Sequence, residues 1–491
     1  MNYIIGIDQS TQGTKACLVD EGGRIVKRCD RAHRQIINDL GWVSHDPEEI
    51  YQNTLAIVRE LMETAGVSEE EIKGVGISNQ RETTVAFRKD GTPAADAIVW
   101  QCSRAKDIVA RMSEEIPGFA ETVEEKTGIP FSPFFPAAKI RWLLENCGEE
   151  PNKLLFGTID TYLLYRLTEG RSFKTDYSNA SRTELMNIHT CTWDPELLQA
   201  FGVTEAALPE ICQSDACFGG TTFGGLFTKP VPVLSMMGDS HAALYAQGCH
   251  KRGMVKTTYG TGSSIMMNIG PEFQRSSCGL ATSVAYAADG QINYGLEGNI
   301  NYTGAVITWL KDQLMLISSP AEVEPAARAA NPEDTTVLVP AFTGLSAPHW
   351  SNDAKATITG MTRTTGKNEL CKAALESIAY QITDVLNAME KDSGIPITEL
   401  RVDGGPTRNA YLMQFQADLA DAAVSVPDME EFSALGVAFM AGKNAGIMDA
   451  SVFTNCERKQ YVPAMTPEKR VEKQALWKDA IRRTLSVHTE I

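Results

Sequence analysis

The sequence lacks any apolar run approaching the roughly 18 residues that a membrane-spanning helix needs. Near Met1 it also lacks the basic segment, apolar stretch and small-residue cleavage site that make up a signal peptide. We therefore expect a cytoplasmic protein with no membrane among its partners.

The sequence also has fewer basic than acidic side chains. Lysine and arginine together number 45 against 62 acidic side chains, which gives a formal net charge of -17. A surface of this sign repels the phosphate backbone of nucleic acids, so nucleic acid is not an expected partner. A small anionic nucleotide is not excluded, because backbone N–H groups and a metal ion can bind it locally.

The cysteine pattern excludes two further classes. Eleven cysteines are scattered singly from Cys17 to Cys456, without a Cys-x-x-Cys pair. An odd number of cysteines without paired spacing predicts neither a disulfide framework nor a structural zinc site. We expect these side chains to be small buried hydrophobes.

The composition that remains, 43% hydrophobic and 22% charged, is typical of a globular protein. A chain of 491 residues is too long for one ordinary hydrophobic core. We predict two domains, 1–248 and 249–491, with the boundary near residues 245–253. No low-complexity linker marks that boundary, so we expect the domains to share a broad contact.

One layout occurs twice in the chain. Apolar runs at 3–7 and 16–19 flank the small polar turn 8–14, which is the pattern of a β-hairpin, and Ile25 begins a third strand. Residues 255–267 repeat this order of strand, Gly/Thr-rich turn and strand about 250 residues later. The repeat indicates an internal duplication and is too long for a solenoid.

Helical and strand patterns alternate elsewhere, which predicts an α/β fold. Residues 48–65 have helical periodicity, and 72–78 form a short buried strand. The clearest helix spans 367–391, and we expect it to end at Ser393-Gly394 before Pro396.

Three turns have residues suited to phosphate. Residues 8–15 (DQSTQGTK) place Asp8 at a strand end before hydroxyls, glycine and a cation, where it could hold Mg²⁺. A plain hairpin turn has the same composition, and the P-loop pattern is absent. Residues 259–262 offer similar chemistry, and the Gly-rich stretch 402–409 precedes a helix starting near Ala410.

Together the three turns are typical of actin-like (ribonuclease H-like) ATP-binding folds, in which two similar domains enclose the nucleotide. Five segments then resemble glycerol kinase, in that family's order, within a match that covers most of the chain. The wider family is the carbohydrate kinases that contain glycerol, xylulose and ribulose kinases. The segments are 79–84 (NQRETT), 97–102 (AIVWQC), 175–183 (TDYSNASRT), 342–348 (FTGLSAP) and 401–405 (RVDGG).

The resemblance implies two actin-like domains with the active site in the cleft between them. It implies phosphorylation of a small polyol or sugar hydroxyl, with ATP and Mg²⁺ as cofactors, by a homo-oligomer, either dimer or tetramer. Asp239 would be the catalytic base and, with Asp8, a metal ligand. Arg81 and Glu82 would hold substrate hydroxyls side by side as donor and acceptor, against the aromatic wall of Trp100.

For ATP, the resemblance implies a first phosphate turn of Thr11, Gln12 and Gly13 and a second of Thr261 and Gly262. Lys15 stands where glycerol kinases often have arginine, and it can still face phosphate as a point charge. The residues implied on the adenosine side are Gly304, Gly405 and Asn409.

Three positions of the substrate site depart from glycerol kinase. Phe134 stands in place of a tyrosine, Ser240 in place of the glutamine after the catalytic aspartate, and Ser264 in place of a phenylalanine. Smaller side chains would leave room for a four- or five-carbon polyol or ketose, such as erythritol, xylulose or ribulose, with His241 as an added donor. Glycerol is still the substrate of the kinases that the sequence most resembles.

Two rival functions fit the same fold. One is a non-catalytic nucleotide or sugar sensor, since fold does not fix function. The other is an ATPase coupled to a protein partner. Asp239 and Asp8 argue against the sensor, whereas Arg81, Glu82 and Trp100 argue against the ATPase.

Overall fold

The computed structural model describes residues 1–351 and 353–486. The strands in this part of the chain are β1 (Tyr3–Gln9), β2 (Gly13–Asp20), β3 (Ile25–Ala32), β4 (Ile36–Ile37), β5 (Val43–His45), β6 (Ile72–Asn79), β7 (Thr84–Arg88), β8 (Ala97–Ile98), β9 (Leu154–Thr158), β10 (Lys174–Asp176), β11 (Met186–Asn187), β12 (Thr192–Trp193), β13 (Glu210–Cys212), β14 (Gly219–Thr221), β15 (Val231–Gly238), β16 (Val255–Tyr259), β17 (Ser263–Gly270), β18 (Ala281–Ala288), β19 (Gln291–Ile300), β20 (Val337–Val339), β21 (Thr357–Thr359), β22 (Glu399–Asp403), β23 (Ala423–Pro427) and β24 (Arg458–Tyr461).

The α-helices are α1 (Pro47–Ala65), α2 (Lys106–Glu115), α3 (Phe119–Thr127), α4 (Pro136–Asn146), α5 (Ile159–Leu167), α6 (Tyr177–Ala180), α7 (Pro195–Phe201), α8 (Asp239–Ala246), α9 (Gly304–Asp312), α10 (Val323–Ala329), α11 (Lys367–Ser393), α12 (Ala410–Ala420), α13 (Phe432–Asn444) and α14 (Pro467–Ser486). Short 3₁₀ helices span Glu69–Glu71, Pro151–Lys153, Glu205–Ala207, Pro320–Glu322, Gly405–Arg408 and Ala450–Phe453.

Two large sheets share the same central arrangement of strands. The first has the order β14-β15-β6-β1-β2-β3, with β1 antiparallel to β2 and parallel to β6. The second has the order β18-β19-β17-β16-β22-β23-β24, with β16 antiparallel to β17 and parallel to β22. The predicted pair of hairpins is therefore confirmed, and each hairpin forms the centre of its own sheet.

A third sheet, with the order β4-β5-β8-β7-β9, belongs to the N-terminal half of the chain. Its strand β7 begins directly after the loop that contains Arg81 and Glu82. The sequence patterns did not predict this sheet, because two of its strands, β4 and β8, are only two residues long.

Helix α13 comes late in the chain but packs on the first sheet, against β1 and β6, and on helix α8. Glycines allow this close approach, since a Cβ at Gly6 would lie 2.5 Å from the carbonyl oxygen of Ala434. A Cβ at Gly76 would collide with the backbone of Val437. The two halves thus share a broad contact, and the division at residue 248 stays a prediction.

The elements with strong periodicity agree with the sequence. The helix expected at 48–65 is α1, the strand at 72–78 is β6 and the helix at 367–391 is α11. Helix α11 ends where Gly394 takes a left-handed conformation with φ 67°, as a glycine C-cap does. Helix α12 begins at Ala410, as expected.

Two expectations from composition have different outcomes. Among the described residues, no helix combines the length and apolarity needed to cross a membrane. Six of the eleven cysteines are buried, but four are only partly buried and Cys217 is exposed, so the expectation that all are core residues is wrong. None of the eleven forms a disulfide.

Candidate active site

Three parallel strands of the first sheet end at one edge, and each presents a charged residue there. Strand β6 lies between β1 and β15 and is parallel to both. Asp8 is near the end of β1, Arg81 follows β6 and Asp239 follows β15. The carboxyl ends of parallel strands are where α/β sheets present ligand groups. The fold therefore assembles these three residues from distant parts of the sequence.

Asp239 is the first residue of α8. Its Oδ1 lies 3.2 Å from Nε of Arg81 and accepts a hydrogen bond from the N–H of Ser240 at 2.6 Å. The side chain retains 33% of its exposure, so a substrate hydroxyl can reach the carboxylate. A partly accessible carboxylate beside a fixed cation can accept a proton from a bound hydroxyl.

Arg81 and Glu82 do not pair with each other. Arg81 donates from Nη1 and Nη2 to the two oxygens of Glu297, at 2.8 and 2.7 Å. Glu82 accepts from Nε of Arg182 at 2.6 Å, and its own backbone is left-handed with φ 61°. The expected side-by-side donor and acceptor are thus each bound to a separate buried partner. Their contact with substrate stays a prediction.

Glu297 and Arg182 are site residues that the sequence reasoning missed. Burial opposes the charge of Glu297, but Arg182 and Arg81 together hold its pKa well below the usual range. Arg182 lies inside the resembling segment 175–183, and Glu297 is a charged residue in a largely buried strand, β19. A buried charge in a strand was the available signal, since carboxylates are rarely buried unless paired.

Trp100 lies beside a second aromatic ring. The rings of Trp100 and Phe134 have centroids 5.6 Å apart. Trp100 also donates from Nε1 to Oγ1 of Thr11 at 2.9 Å, so this aromatic wall is tied to the first turn. Its contact with substrate stays a prediction.

A buried lysine supports this wall and was also missed. Nζ of Lys139 donates to the carbonyl oxygens of Phe134 at 2.5 Å, Glu82 at 3.2 Å and Trp100 at 3.4 Å. Burial lowers the pKa of Lys139 to about 7. Three segments of the acceptor site are thus fixed to one another through a single side chain.

The two serines that depart from glycerol kinase have different positions. Ser264 donates from Oγ to Oε1 of Glu297 at 3.1 Å, while Ser240 is partly exposed at the start of α8. His241 is completely buried, and its Nε2 lies 3.2 Å from Oγ of Ser283. The expectation that His241 donates to substrate is therefore wrong.

A cleft of about 530 Å³ lies between the two halves. Burial raises the pKa of Asp8, which faces this cleft, to about 6, against the opposing attraction of Lys15. Oγ of Ser78 donates to Asp8 at 2.9 Å. The cleft is lined by Asp8, Lys15, Thr258, Asp403, Gly404, Gly405, Thr407, Arg408, Val426, Pro427, Asp428, Met429, Glu430, Glu431, Phe432 and Ser433.

Lys15 is not free in this cleft. Its Nζ lies 2.7 Å from Oε2 of Glu431, and Nη1 of Arg28 lies 2.7 Å from the other oxygen of the same carboxylate. Glu431 takes a left-handed conformation with φ 63° just before α13. No local pattern points to Glu431, because its partners are more than 400 positions away along the chain.

The first turn is a tight hairpin. Ser10 donates from its N–H to the carbonyl oxygen of Gly13 at 2.8 Å, and Gln12 accepts from the N–H of His33 at 3.2 Å. A Cβ at Gly13 would lie 2.6 Å from the carbonyl oxygen of Arg31, so only glycine fits there. The turn has the expected compact backbone, and its contact with phosphate stays a prediction.

The second turn contacts the start of α9. Thr261 accepts hydrogen bonds from the N–H groups of Thr303 and Ala305, at 2.9 and 3.0 Å. Gly304 donates to the carbonyl oxygen of Gly260 at 2.9 Å. A Cβ at Gly262 would collide with the carbonyl oxygen of Ile300. The structure therefore brings Gly304 to the second turn.

Gly405 and Asn409 bound the third turn. Gly405 lines the cleft, and no atom lies within 4 Å of where its Cβ would be, so the backbone there is open to a ligand. Asn409 instead caps α12 by accepting from the N–H of Leu412 at 2.9 Å. Its side-chain oxygen is therefore committed to the helix start.

Metal binding was expected at Asp8 and Asp239. Over residues 1–351 and 353–486, no group of three or more His, Cys, Asp or Glu side chains is arranged to hold a metal ion. Asp8 and Asp239 are close enough for the charge of one to raise the pKa of the other's carboxyl, as at Asp8. Two neighbouring carboxylates fit Mg²⁺, which binds few protein oxygens and completes its shell with water and phosphate.

Two sheets with the same central arrangement of strands, together with an open cleft between the halves and an accessible carboxylate at its edge, define a two-domain protein of the actin-like ATPase fold. Comparison with known families is more specific. Residues 3–246 match the N-terminal domain of the FGGY family of carbohydrate kinases, and residues 255–445 match its C-terminal domain. The chain belongs to this family.

Individual relatives agree with the family. The chain is 44% identical to glycerol kinase 1 of Thermotoga maritima, over 99% of this chain and 100% of that protein. It is 42% identical to a glycerol kinase of Shewanella baltica, over 98% and 99% of the two chains. A crystal structure of Plasmodium falciparum glycerol kinase with ADP superposes with a TM-score of 0.92 at 33% identity, covering 99% and 98% of the two chains. The chain is thus an ATP-dependent kinase acting on an alcohol group.

Proposed function

We propose that this kinase transfers the γ-phosphoryl group of ATP to a terminal hydroxyl of glycerol or of a slightly longer polyol or ketose. The observation that carries the proposal is the placement of Asp239, whose carboxylate is 33% exposed and 3.2 Å from Nε of Arg81, and whose carbonyl oxygen accepts from Ser433 of the cleft. The names of the relatives support glycerol as the acceptor.

In the proposed step, the carboxylate of Asp239 takes the proton of the acceptor hydroxyl as that oxygen attacks the γ-phosphorus. The bond between the γ-phosphorus and the bridging oxygen breaks, ADP leaves, and Asp239 later returns the proton to water. Arg81 holds Asp239 in place, and Trp100 provides the apolar surface for the carbons of the acceptor. Most of the acceleration comes from this positioning.

Asp8 and Asp239 would hold Mg²⁺, which neutralises charge on the phosphates when bound. Asp8 suits this role because its carboxylate is buried. Among the main influences on its pKa, Lys15 is the only cation. The first and second turns would contact the phosphates through backbone N–H groups, and Gly405 would face the adenosine. Closing of the cleft would exclude water and limit wasteful hydrolysis of ATP.

A longer acceptor is the alternative, and one observation favours it. Ser264 and Ser240 are small residues beside the Arg81–Glu297 pair and Asp239, where glycerol kinases have larger side chains. Room for a fourth or fifth carbon would exist there. In this alternative the substrate is a polyol or ketose such as erythritol, xylulose or ribulose.

The test is Mg²⁺-dependent ADP release with glycerol, erythritol, ribitol, xylulose, ribulose and erythrulose, for the wild type, Ser264→Phe and Asp239→Asn. We expect Asp239→Asn to lose about 10³-fold in kcat with every acceptor. If the longer acceptor is correct, Ser264→Phe shifts preference towards glycerol. Full activity in Asp239→Asn, or ATP hydrolysis that no acceptor changes, would contradict the proposal.

We also propose a cytoplasmic homo-oligomer, a dimer or a tetramer, with its domains divided at residue 248. The two family domains, which match residues 3–246 and 255–445, support the division. Sedimentation velocity of the purified chain measures the assembly state, and a monomer at micromolar concentration would contradict it.

A further inference from the structure

Four charged side chains form a buried chain beside the candidate base. In the order in which they contact one another, they are Glu82, Arg182, Glu297 and Arg81. Each has a side-chain exposure of 8% or less. Glu297 lies on β19 of the second sheet, whereas the other three belong to the N-terminal half. The chain of charges therefore crosses from one half of the molecule to the other.

Glu297 uses both of its oxygens in this chain. Oε1 accepts from Nη2 of Arg81 at 2.7 Å and from Oγ of Ser264 at 3.1 Å. Oε2 accepts from Nη1 of Arg81 at 2.8 Å and lies 2.7 Å from Nη1 of Arg182. Such a two-pronged carboxylate contact fixes the plane of the guanidinium as well as its position.

This contact decides which nitrogen Arg81 offers to Asp239. Glu297 engages Nη1 and Nη2, so Nε is the nitrogen that lies 3.2 Å from Oδ1 of Asp239. Charge is shared as well, because the cation of Arg81 is attracted by Glu297 on one side and by Asp239 on the other. Each carboxylate weakens the pull that Arg81 exerts on the other.

We propose that Glu297 is a positioning residue that acts on Asp239 through Arg81 and holds the carboxylate of Asp239 where it can reach the acceptor's hydroxyl. The inference rests on the proposed role of Asp239 as the base. Without the two-pronged contact from Glu297, the guanidinium of Arg81 would be free to turn, and its Nε would no longer be fixed opposite Oδ1 of Asp239. The geometry of the approach of Asp239 to the hydroxyl would then change.

Other charges also face Asp239. Asp8 approaches from β1, and Lys256 from β16, in addition to Arg81 beside it. These groups are unchanged in a variant of Glu297. A change in the kcat of that variant therefore reports the loss of Glu297 itself.

The experiment compares Glu297→Gln with the wild type in full-length protein. We expect kcat to fall about a hundredfold, as for other small misplacements of a reacting group. KM for ATP should change by less than about threefold, because the interaction lost acts on the reacting groups and Arg81 does not line the cleft. A kcat within twofold of the wild type, or a fall in kcat matched by an equal rise in KM for ATP, would overturn the proposal.

Glu376→Gln is the matched control. Glu376 is also a buried glutamate of the C-terminal half, paired with Lys473 at 3.1 Å and accepting from Tyr411 at 2.8 Å. Its loss should lower the melting temperature and leave kcat within twofold of the wild type. If the control lowered kcat by the same amount as Glu297→Gln, the effect would be one of general stability and the proposal would fail.

Glu297→Asp covers the case in which Glu297→Gln does not fold. The aspartate keeps the negative charge between the two arginines but is one methylene too short to hold both terminal nitrogens of Arg81. We expect a kcat loss of about tenfold. A kcat within twofold of the wild type would overturn the proposal.

Failure of the inference is distinguishable from failure of the proposed function. Full activity in Asp239→Asn would show that Asp239 is not the base, and the proposed function would fail. A nearly wild-type Glu297→Gln beside an inactive Asp239→Asn would reject only the positioning role of Glu297.

Discussion

The proposed acceptor site and the proposed nucleotide cleft contain different kinds of ion pairs. At the acceptor site, Arg81 and Glu297 have side-chain exposures of 8% and 0%. In the cleft, Lys15 is 32% exposed opposite Glu431 at 10%, and Arg408 is 76% exposed opposite Glu430 at 60%. The first pair is fixed in the protein interior, whereas the second is partly exposed and the third lies at the surface.

The difference indicates what each side must do. A buried pair is hard to break, because removing one partner leaves the other charge without solvent or counter-ion. An exposed pair contributes little and is easily exchanged for another partner. We infer that the acceptor side is organised before substrate arrives, and that the nucleotide side exchanges its internal partners for phosphate.

The largest expected effect comes from changing the fixed side. In Arg81→Lys, a single ammonium cannot make the two-pronged contact with Glu297 and also reach Asp239. We expect kcat/KM for the acceptor to fall at least a hundredfold, with little change in KM for ATP. Steady-state kinetics with each substrate varied in turn measure both.

Arg88→Lys is the control for this variant. Arg88 pairs with Glu149 on the surface of the same half, with a side-chain exposure of 39%. It should leave kcat/KM within twofold. An Arg81→Lys enzyme as active as Arg88→Lys would mean that the acceptor side tolerates loss of its fixed pair, and the comparison would collapse.

An intermediate effect is expected at Asp8, which lies between the two sides. Asp8→Asn should weaken binding of MgADP about tenfold to a hundredfold, since an amide is a poorer partner for Mg²⁺. Calorimetric titration with MgADP and with ADP plus a chelator measures the effect. Equal affinities of wild type and variant for MgADP would exclude Asp8 from the metal site.

The pKa of Asp8 gives this variant a pH dependence of defined sign. Burial raises that pKa to about 6, so the carboxylate is charged above pH 6 and protonated below it. Wild-type affinity for MgADP should fall as pH falls through about 6, and the variant should lack this change. The charge also costs the ligand-free protein stability above pH 6, so the free energy of unfolding of Asp8→Asn should be higher there by about 3 kcal/mol. That advantage should shrink between pH 6 and pH 4.

The smallest effect, and one of opposite sign, is expected at Glu431. In Glu431→Gln the ammonium of Lys15 loses its partner and becomes free to face phosphate. We expect KM for ATP to decrease about threefold, in keeping with the small energies of exposed pairs. Glu430→Gln removes a neighbouring carboxylate that does not contact Lys15 and should change KM less. Weaker ATP binding in Glu431→Gln would show that Glu431 belongs to the ATP site.

The parts of the fold that the sequence predicted are those set by local pattern. Helix α11 and strand β6 have apolar residues at regular spacing, and the two hairpins have turns rich in glycine and threonine. Strands β4 and β8 are two residues long, so they have no periodicity to detect. Their pairing depends on neighbouring strands, which local sequence does not specify.

The residues of the candidate site also divide into those that the sequence predicted and those that it did not. Asp8, Arg81 and Asp239 could be named because each follows a recognisable strand or motif. The partner of Arg81 is Glu297, 216 positions away, and only the folded chain brings them together.

His241 was placed wrongly for a geometric reason. It follows Asp239 by two positions on α8, and two residues of a helix span about 200° of rotation. When Asp239 faces the cleft, His241 therefore faces the core. Two residues that are close in sequence can face opposite sides of a helix, so closeness in sequence does not place both of them in the same site.

Helix α13 has a consequence for how the protein is made. It covers β1 and β6 but is encoded near the end of the chain, so a ribosome completes the first sheet long before its covering helix exists. Until then Gly6 and Gly76 leave a flat apolar face open to water or to chaperones. A gene cut after the first sheet would accordingly yield a fragment prone to aggregation, and the two halves would recover activity only when produced together.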